Sequence, residues 1–407
     1  MTARITTLPS GLTIATEYVP SALSVAIGAW VAVGARDEPD EHAGASHFLE
    51  HLVFKGTESR TAQDISRSVD RRGGDINAFT GKEYTAYYCR LPLDEAAFGV
   101  ALVGDLVSSP ALRDPDVETE RQVILEELAM DDDEPEDVAH RLLAEALYPE
   151  HPLGRETAGS RETVEAMTAD ELRAFHRSRY TPGSTVVAVT GAVDHEHMVA
   201  AAAGAFEPMV PGERRERGSG PGLPRPGAVR QDDDTEQVQY LLGMRAFPRE
   251  DPDREAFEIL VHVLGGGMSS RLFDQVRERR GLAYSVYAAA SQFDDAGAMT
   301  IYAGTMPNHL DAVREIVDHE LDVLRTDGIT EDELDVAIGS LTGSFVLGLE
   351  DTGSRMARLA TSLTTMGRIR SVEDQLVAWR NVTLDDVRRV AERVLGGARI
   401  EVTVGPS

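Results

Sequence analysis

Two histidines and a glutamate occur within one short stretch, His47-Phe48-Leu49-Glu50-His51. At about 3.6 residues per turn, His47 and His51 lie on one face of a helix, one turn apart. Two neutral imidazoles in this arrangement can hold one Zn²⁺, and Glu50 lies beside them. The stretch therefore predicts a hydrolytic zinc site in which Glu50 accepts a proton from the attacking water.

A third metal ligand is needed, and it is expected on another helix. A structural zinc is usually closed by four protein ligands, often cysteines, whereas a catalytic zinc needs only three. The chain has a single cysteine, Cys89. Residues 117–128 are typical of a helix in which Glu120, Ile124 and Glu127 share one stripe. We predict that Glu127 is the third ligand and that Glu120 orients a ligating histidine.

Three blocks of this sequence resemble the M16 (pitrilysin/insulinase) zinc metallopeptidases, and more narrowly their mitochondrial-processing-peptidase-like, two-domain bacterial branch. The order His-x-x-Glu-His is that of the inverted zincins. The blocks are His47–Thr57, Glu120–Glu127, and Leu264–Phe273 followed by Val276–Val286. The second block has the family's Glu-Arg-x-Val-Ile-x-x-Glu pattern, which selects Glu127 independently of the helical stripe.

The resemblance also implies residues that act on the substrate. Arg277 and Tyr284 match the family's Arg/Tyr pair, in which the phenol donates to the carbonyl oxygen of the cleaved bond and the guanidinium positions the peptide backbone. From the local sequence pattern alone, Tyr284 would be interpreted as a half-buried aromatic residue of a strand and Arg277 as an exposed residue of a helix. Asn77, Ala78 and Phe79 resemble the family's edge strand, to which an extended peptide can add.

The organisation of the chain favours two related halves. Residues 208–236 are rich in Pro, Gly and charged residues and are interpreted as a linker between domains 1–207 and 237–407. Segments on either side resemble each other at a spacing of about 210–215 residues, which indicates duplication. Ala45–Gly56 corresponds to Ala256–Gly267, where Glu258, Val261 and His262 stand opposite His47, Glu50 and His51. The second copy lacks two of the three chemical groups, so one zinc per chain is expected.

The predicted fold class is α+β, with two homologous domains that each contain a mainly antiparallel sheet with one face covered by helices. The resemblance implies that the domains form a clamshell around an internal chamber. The expected strands include 24–31, 185–191, 299–303 and 400–405, and 311–324 is expected to be a helix.

Charge and composition limit the class of partner. The chain of 407 residues carries 40 basic and 69 acidic residues, a formal net charge of −29. Nucleic-acid binding needs a positive surface and is excluded on this ground. The negative charge can attract peptides with basic residues, or it can serve only solubility. No stretch approaches the roughly 20 apolar residues of a membrane span, and the single cysteine indicates a reducing compartment. We therefore expect a cytoplasmic protein.

The sequence as a whole predicts a zinc-dependent endopeptidase that hydrolyses short or unfolded peptides. Because both the zinc half and the Arg/Tyr half occur in one chain, a self-sufficient homodimer is expected. Two alternatives remain at this point. One is a non-catalytic peptide-binding or scaffold subunit of a processing-peptidase-like complex, and the other is a chaperone-like protein with a structural metal.

Overall fold

The computed structural model describes residues 3–406, which form two sheets and a set of helices packed on them. The strands are β1 (Arg4–Thr7), β2 (Thr13–Tyr18), β3 (Ser24–Val31), β4 (Asp75–Thr80), β5 (Thr85–Pro92), β6 (Thr185–Gly191), β7 (Gly227–Asp232), β8 (Val238–Ala246), β9 (Ala283–Gln292), β10 (Gly297–Thr305) and β11 (Arg399–Gly405). The helices are α1 (Ala45–Val53), α2 (Ala62–Asp70), α3 (Ala96–Ser108), α4 (Asp114–Asp133), α5 (Pro135–Leu147), α6 (Arg161–Ala166), α7 (Ala169–Arg179), α8 (His195–Ala205), α9 (Arg254–Gly265), α10 (Leu310–Thr326), α11 (Glu331–Gly348), α12 (Thr352–Met366), α13 (Val372–Arg380) and α14 (Leu384–Leu395).

Both sheets are mainly antiparallel, as the sequence predicts. The first has the strand order β1-β2-β6-β3-β5-β4, and the second has the order β7-β11-β8-β10-β9. Each contains one parallel pair, β2 with β6 and β7 with β11, and the remaining pairs are antiparallel. The predicted strands are present, and β3 and β6 have the expected bounds. The α+β class is therefore confirmed.

Helices cover both faces of each sheet, whereas only one covered face was expected from the sequence. Successive side chains of a strand point to opposite faces. In β3, Val25 and Ile27 belong to one core, and Ala26 and Trp30 belong to another that includes Met356 of α12. Both sets are buried, so the strand is apolar throughout and shows no alternation that would reveal an exposed face.

Each compact unit combines segments from both halves of the sequence. One unit contains the chain up to Leu128 together with Arg155–Gly218 and Val346–Ser371. The other contains Ala129–Gly154, Ser219–Phe345 and the chain from Val372 onward. The late helix α12 thus packs on the first sheet, and the early helix α5 packs on the second.

A glycine in each sheet makes room for the helix that comes from the other half of the sequence. A Cβ atom at Gly28 of β3 would collide with Trp30 and would lie 2.7 Å from the Met356 sulfur of α12. A Cβ atom at Gly243 of β8 would lie 2.6 Å from a methyl carbon of Leu143 of α5. Close packing of α12 and α5 on their sheets therefore depends on glycine, which has no side chain, at these two positions.

The segment interpreted as a linker, 208–236, contains regular structure. Its strand β7 pairs in parallel with β11 at the edge of the second sheet. Upstream of β7, the Arg217 guanidinium contacts the carboxylates of Asp37 (2.8 Å) and Glu83 (3.2 Å). This part of the segment is therefore held against the first unit. None of the helices in residues 3–406 combines the length and apolar character required to cross a bilayer.

We predict that Gly28→Ala lowers the free energy of unfolding by about 1–3 kcal/mol, because the added methyl group overpacks the contact between β3 and α12. Gly204→Ala is the matched control, since a Cβ atom at this position of α8 meets nothing within 4 Å. It should leave stability unchanged or raise it by up to about 1 kcal/mol. Urea denaturation followed by circular dichroism measures both, and an equal effect of the two substitutions would contradict the prediction.

Candidate metal centre

The first two candidate ligands lie on α1, which packs its apolar face on the first sheet. Phe48 and Leu49 are fully buried in the core of this sheet. The helix periodicity then places His47 and His51 together on the opposite side, where their ring centroids are 4.7 Å apart. The two side chains are 19% and 16% exposed, so the imidazoles are shielded yet reachable from solvent.

The third predicted ligand lies on α4 and meets the histidines. Glu127 Oε2 is 3.4 Å from His51 Nε2 and 3.8 Å from His47 Nε2. One ligand atom from each of the three residues lies within 4.8 Å of the others, and this is the only such group of His, Cys, Asp or Glu side chains found among residues 3–406. Ile124 of the same helix is buried in the core that also contains α1, so the face of α4 that carries Glu127 is turned toward α1.

The donor set and its spacing fit a divalent metal ion. In a tetrahedral zinc site with bonds of about 2.1 Å, ligand atoms are roughly 3.4 Å apart, close to the distances to Glu127. Burial, with a smaller contribution from the neighbouring charge of His51, lowers the pKa of His47 to about 4. His47 is therefore neutral at physiological pH, as a metal ligand must be.

Glu120 contacts His51, one of the two candidate histidine ligands. Its Oε2 accepts a hydrogen bond of 3.1 Å from Nδ1 of His51, which leaves Nε2 of that ring available for a metal. The Glu120 side chain is only 4% exposed and forms an ion pair with Lys55. Lys55 was not predicted, although it follows His47 and His51 at the same four-residue spacing.

The predicted proton acceptor Glu50 lies in a partly buried position beside the ligands. Its Oε2 accepts a 2.9 Å hydrogen bond from the Thr80 hydroxyl. Burial raises the pKa of Glu50, a shift opposed by this hydrogen bond and by His51 and reinforced by Glu127. A raised pKa brings the carboxylate closer to the range in which it exchanges protons near neutrality. Thr80 was not predicted, although it directly follows the residues expected to bind substrate.

Asn77, Ala78 and Phe79 lie in β4, at the edge of the first sheet. β4 pairs with β5, and no other strand within residues 3–406 pairs with its outer side. Ala78 faces the core, the Asn77 side chain accepts a 2.8 Å hydrogen bond from the Ala78 amide, and Phe79 packs edge-on against Trp30. Any contact of Ala78 with a substrate would therefore involve its backbone.

Arg277 and Tyr284 are brought together in the second unit. Arg277 lies in a π-helical segment, Phe273–Glu278, and Tyr284 lies at the start of β9. The guanidinium carbon is 4.6 Å from the centroid of the Tyr284 ring, a cation–π contact. Tyr284 is 79% exposed, so the interpretation as a half-buried strand aromatic is wrong.

The counterpart of the metal site in the second half has a different role. Glu258 of α9 accepts a 2.7 Å hydrogen bond from Trp379 Nε1 and pairs with Arg254 at 2.9 Å. His262 lies one turn further along the same helix, packed against the backbone of Gly266. These contacts stabilise the unit, and among the described residues His262 belongs to no group of three potential metal ligands.

Comparisons with known proteins identify the family. The model described as "Insulinase (Peptidase family M16)" matches residues 13–161, and the model described as "Peptidase M16 inactive domain" matches residues 166–341. An uncharacterized zinc protease of Streptomyces coelicolor is 45% identical, over 100% of this chain and 90% of that protein. The uncharacterized zinc protease YmxG of Bacillus subtilis is 35% identical, over 98% of both chains. The chain therefore belongs to the M16 family of peptidases.

Solved structures show the same fold at lower sequence identity. A peptidase M16 inactive domain from Pseudomonas fluorescens has a TM-score of 0.92 at 20% identity, over 100% of this chain and 98% of the other. A protease from Helicobacter pylori has a TM-score of 0.91 at 23% identity, over 100% of both chains. The two-sheet architecture is thus shared along the whole chain.

We predict that Glu127→Gln greatly weakens zinc binding, because an amide oxygen replaces the only anionic ligand. The loss should exceed the roughly 10–100-fold cost of removing a supporting carboxylate. Glu126→Gln is the matched control, since Glu126 is the exposed neighbour on the same helix. Zinc content after dialysis, measured by atomic absorption, should fall only in Glu127→Gln; retention of one zinc per chain in that variant would remove Glu127 from the site.

Proposed function

We propose that this protein is a zinc-dependent endopeptidase that hydrolyses short or unfolded peptides. One observation carries the proposal: His47, His51 and Glu127 bring three ligand atoms within 4.8 Å, next to a partly buried carboxylate at Glu50. Three protein ligands leave a coordination position open, as catalytic sites require. The relatives named as zinc proteases support zinc as the ion.

The roles of the side chains follow from their surroundings. A bound zinc ion would supply Lewis-acid chemistry, which polarises a peptide carbonyl and makes water more acidic. His47 and Glu127 are held as ligands by their helices, and His51 is also held by Glu120. Glu50 accepts the proton of the attacking water and donates it to the leaving amine. Thr80 orients Glu50 through its hydroxyl, so that one carboxylate oxygen stays available for this transfer.

The proposed substrate is an extended peptide that adds to the outer edge of β4. Backbone groups at a sheet edge pair with any extended chain, which suits short and unfolded peptides better than folded proteins. Asn77, Ala78 and Phe79 belong to this strand, and Thr80 at its end contacts Glu50. The net charge of −29 favours peptides that carry basic residues.

We also propose that Tyr284 and Arg277 assist the reaction. The proposal rests on their match to the family's Arg/Tyr pair, and the exposure of Tyr284 supports it because its hydroxyl lies at the surface. The phenol would donate to the developing oxyanion, and the guanidinium would hold both the ring and the peptide backbone.

Glu50→Gln should retain zinc but lose peptide cleavage, because the amide cannot accept the proton. The expected loss in kcat is roughly 10²–10⁴-fold. The activity is measured as cleavage of an unstructured, lysine-rich peptide with quenched fluorescence. Chelator-treated protein serves as the reference without activity. The control Glu58→Gln changes an exposed glutamate after α1 and should keep full activity. If the zinc-loaded parent protein cleaves no peptide, the non-catalytic binding subunit replaces this proposal.

Tyr284→Phe should lower kcat by roughly 10²–10³-fold with little change in KM, since the lost hydroxyl acts in the transition state. Zinc content should remain unchanged. Tyr18→Phe removes another exposed tyrosine hydroxyl, at the end of β2, and serves as the control. Equal kcat values for both variants and the parent would remove Tyr284 from the reaction.

A further inference from the structure

The buried carboxylate of Glu38 lies at the start of helix α1, which carries two of the candidate ligands. Its Oε2 accepts a hydrogen bond of 2.8 Å from the amide of Gly44, and its Oε1 accepts one of 2.6 Å from the amide of Ser46. The first amides of a helix have no partner within the helix and are usually capped by the N-cap side chain. Here the N-cap residue is Gly44, which has no side chain. Glu38 therefore supplies the cap from outside the helix.

The two histidines of α1 differ in how their rings are held. Nδ1 of His51 is hydrogen-bonded to Glu120, which fixes the orientation of that ring. Nδ1 of His47 is buried and has no hydrogen-bond partner among residues 3–406. His47 also lies in the first turn, where a helix is most prone to fraying. Its position therefore depends on the backbone that Glu38 holds.

The loop that carries Glu38 is itself fixed in place. The Arg155 guanidinium donates to the carbonyl oxygens of Glu38 (3.0 Å) and Ala35 (3.2 Å). The amide of Arg36 donates to the carbonyl of Lys82 at 2.9 Å, in the turn that joins β4 to β5. Glu38 is only 5% exposed. Its carboxylate is thus a rigid support rather than a surface group that contacts the helix occasionally.

We propose that Glu38 is a positioning residue for the metal centre: by capping the first turn of α1, it holds His47 where it can share an ion with His51 and Glu127. The proposal rests on the proposed function only in assuming that these three residues bind a metal. It assigns Glu38 no contact with the metal or with a substrate.

The test is Glu38→Gln, which keeps the shape of the side chain but presents an amide NH₂ to one of the two backbone donors. Zinc affinity is measured by competition with a chromophoric chelator, and the visible spectrum of the Co²⁺-loaded protein reports ligand geometry. We expect zinc binding at least tenfold weaker and an altered Co²⁺ spectrum. Glu41→Gln makes the same change at an exposed glutamate of the same loop and should alter neither measurement.

Stability is measured in parallel to separate positioning from a general structural role. Burial raises the pKa of Glu38 to about 7, so removing its charge relieves a desolvation cost and is not expected to unfold the protein. A lower melting temperature with unchanged zinc affinity and Co²⁺ spectrum would overturn the proposal. If Glu38→Gln does not fold, Glu38→Asp decides in the same assays: its shorter carboxylate should weaken zinc binding, and parental affinity would overturn the proposal.

The outcome is distinguishable from failure of the peptidase proposal. A parent protein that binds zinc but cleaves no peptide would refute the peptidase and leave Glu38 in its role. A parent protein that cleaves peptides, with full zinc affinity in Glu38→Gln, would refute only the role of Glu38. A parent protein that binds no zinc would refute both.

Discussion

The candidate metal centre depends on a distance constraint between two helices that are far apart in the sequence. His47 and His51 on α1 must stay within a few ångströms of Glu127 on α4 for the three side chains to share one ion. Both helices meet this constraint through the same apolar core, in which Phe48 and Ile124 are completely buried. A shift of either helix by one residue would rotate its ligand by about 100° and destroy the group.

Polar contacts then fix the orientations of the side chains on the helices that the core positions. Glu120 is held by Lys55 and directs Nδ1 of His51, and Thr80 directs Glu50 from the neighbouring strand. In the second half, the residue opposite His47 is Glu258, and it bonds to Trp379 instead. The corresponding helix position thus carries a candidate metal ligand in the first half and a hydrogen-bond acceptor for a tryptophan in the second.

Most of the candidate site was predictable, because the spacing of its residues within each of two helices is visible in short stretches of sequence. The spacing of His47 and His51 depends only on helix geometry, and Glu120 and Glu127 follow from one stripe on α4. The contact of Thr80 with Glu50 was not predictable in this way, because it joins a strand to a helix that the sequence does not mark as its neighbour. Glu38 is close to α1 in the sequence, but it lies outside the N-cap position at which a capping side chain is expected. The packing of α12 on the first sheet was also not predicted. Because β3 is apolar on both sides, its sequence pattern does not indicate which segment packs on the second side.

The position of α12 in the chain has a consequence for biosynthesis. The last strand of the first sheet ends at Gly191, but the helix that covers one face of this sheet ends at Met366. At a translation rate of about 5–20 residues per second, roughly 10–35 s pass between the synthesis of the last strand and that of α12. During this interval the apolar face is not packed against α12. The candidate ligands and all strands of the first sheet are synthesised early, whereas the helix that covers the second face of this sheet is synthesised only when translation is nearly finished. A fragment that ends before α12 would carry all three candidate ligands and the core beneath them, but it would lack the helix that buries the opposite face of the sheet.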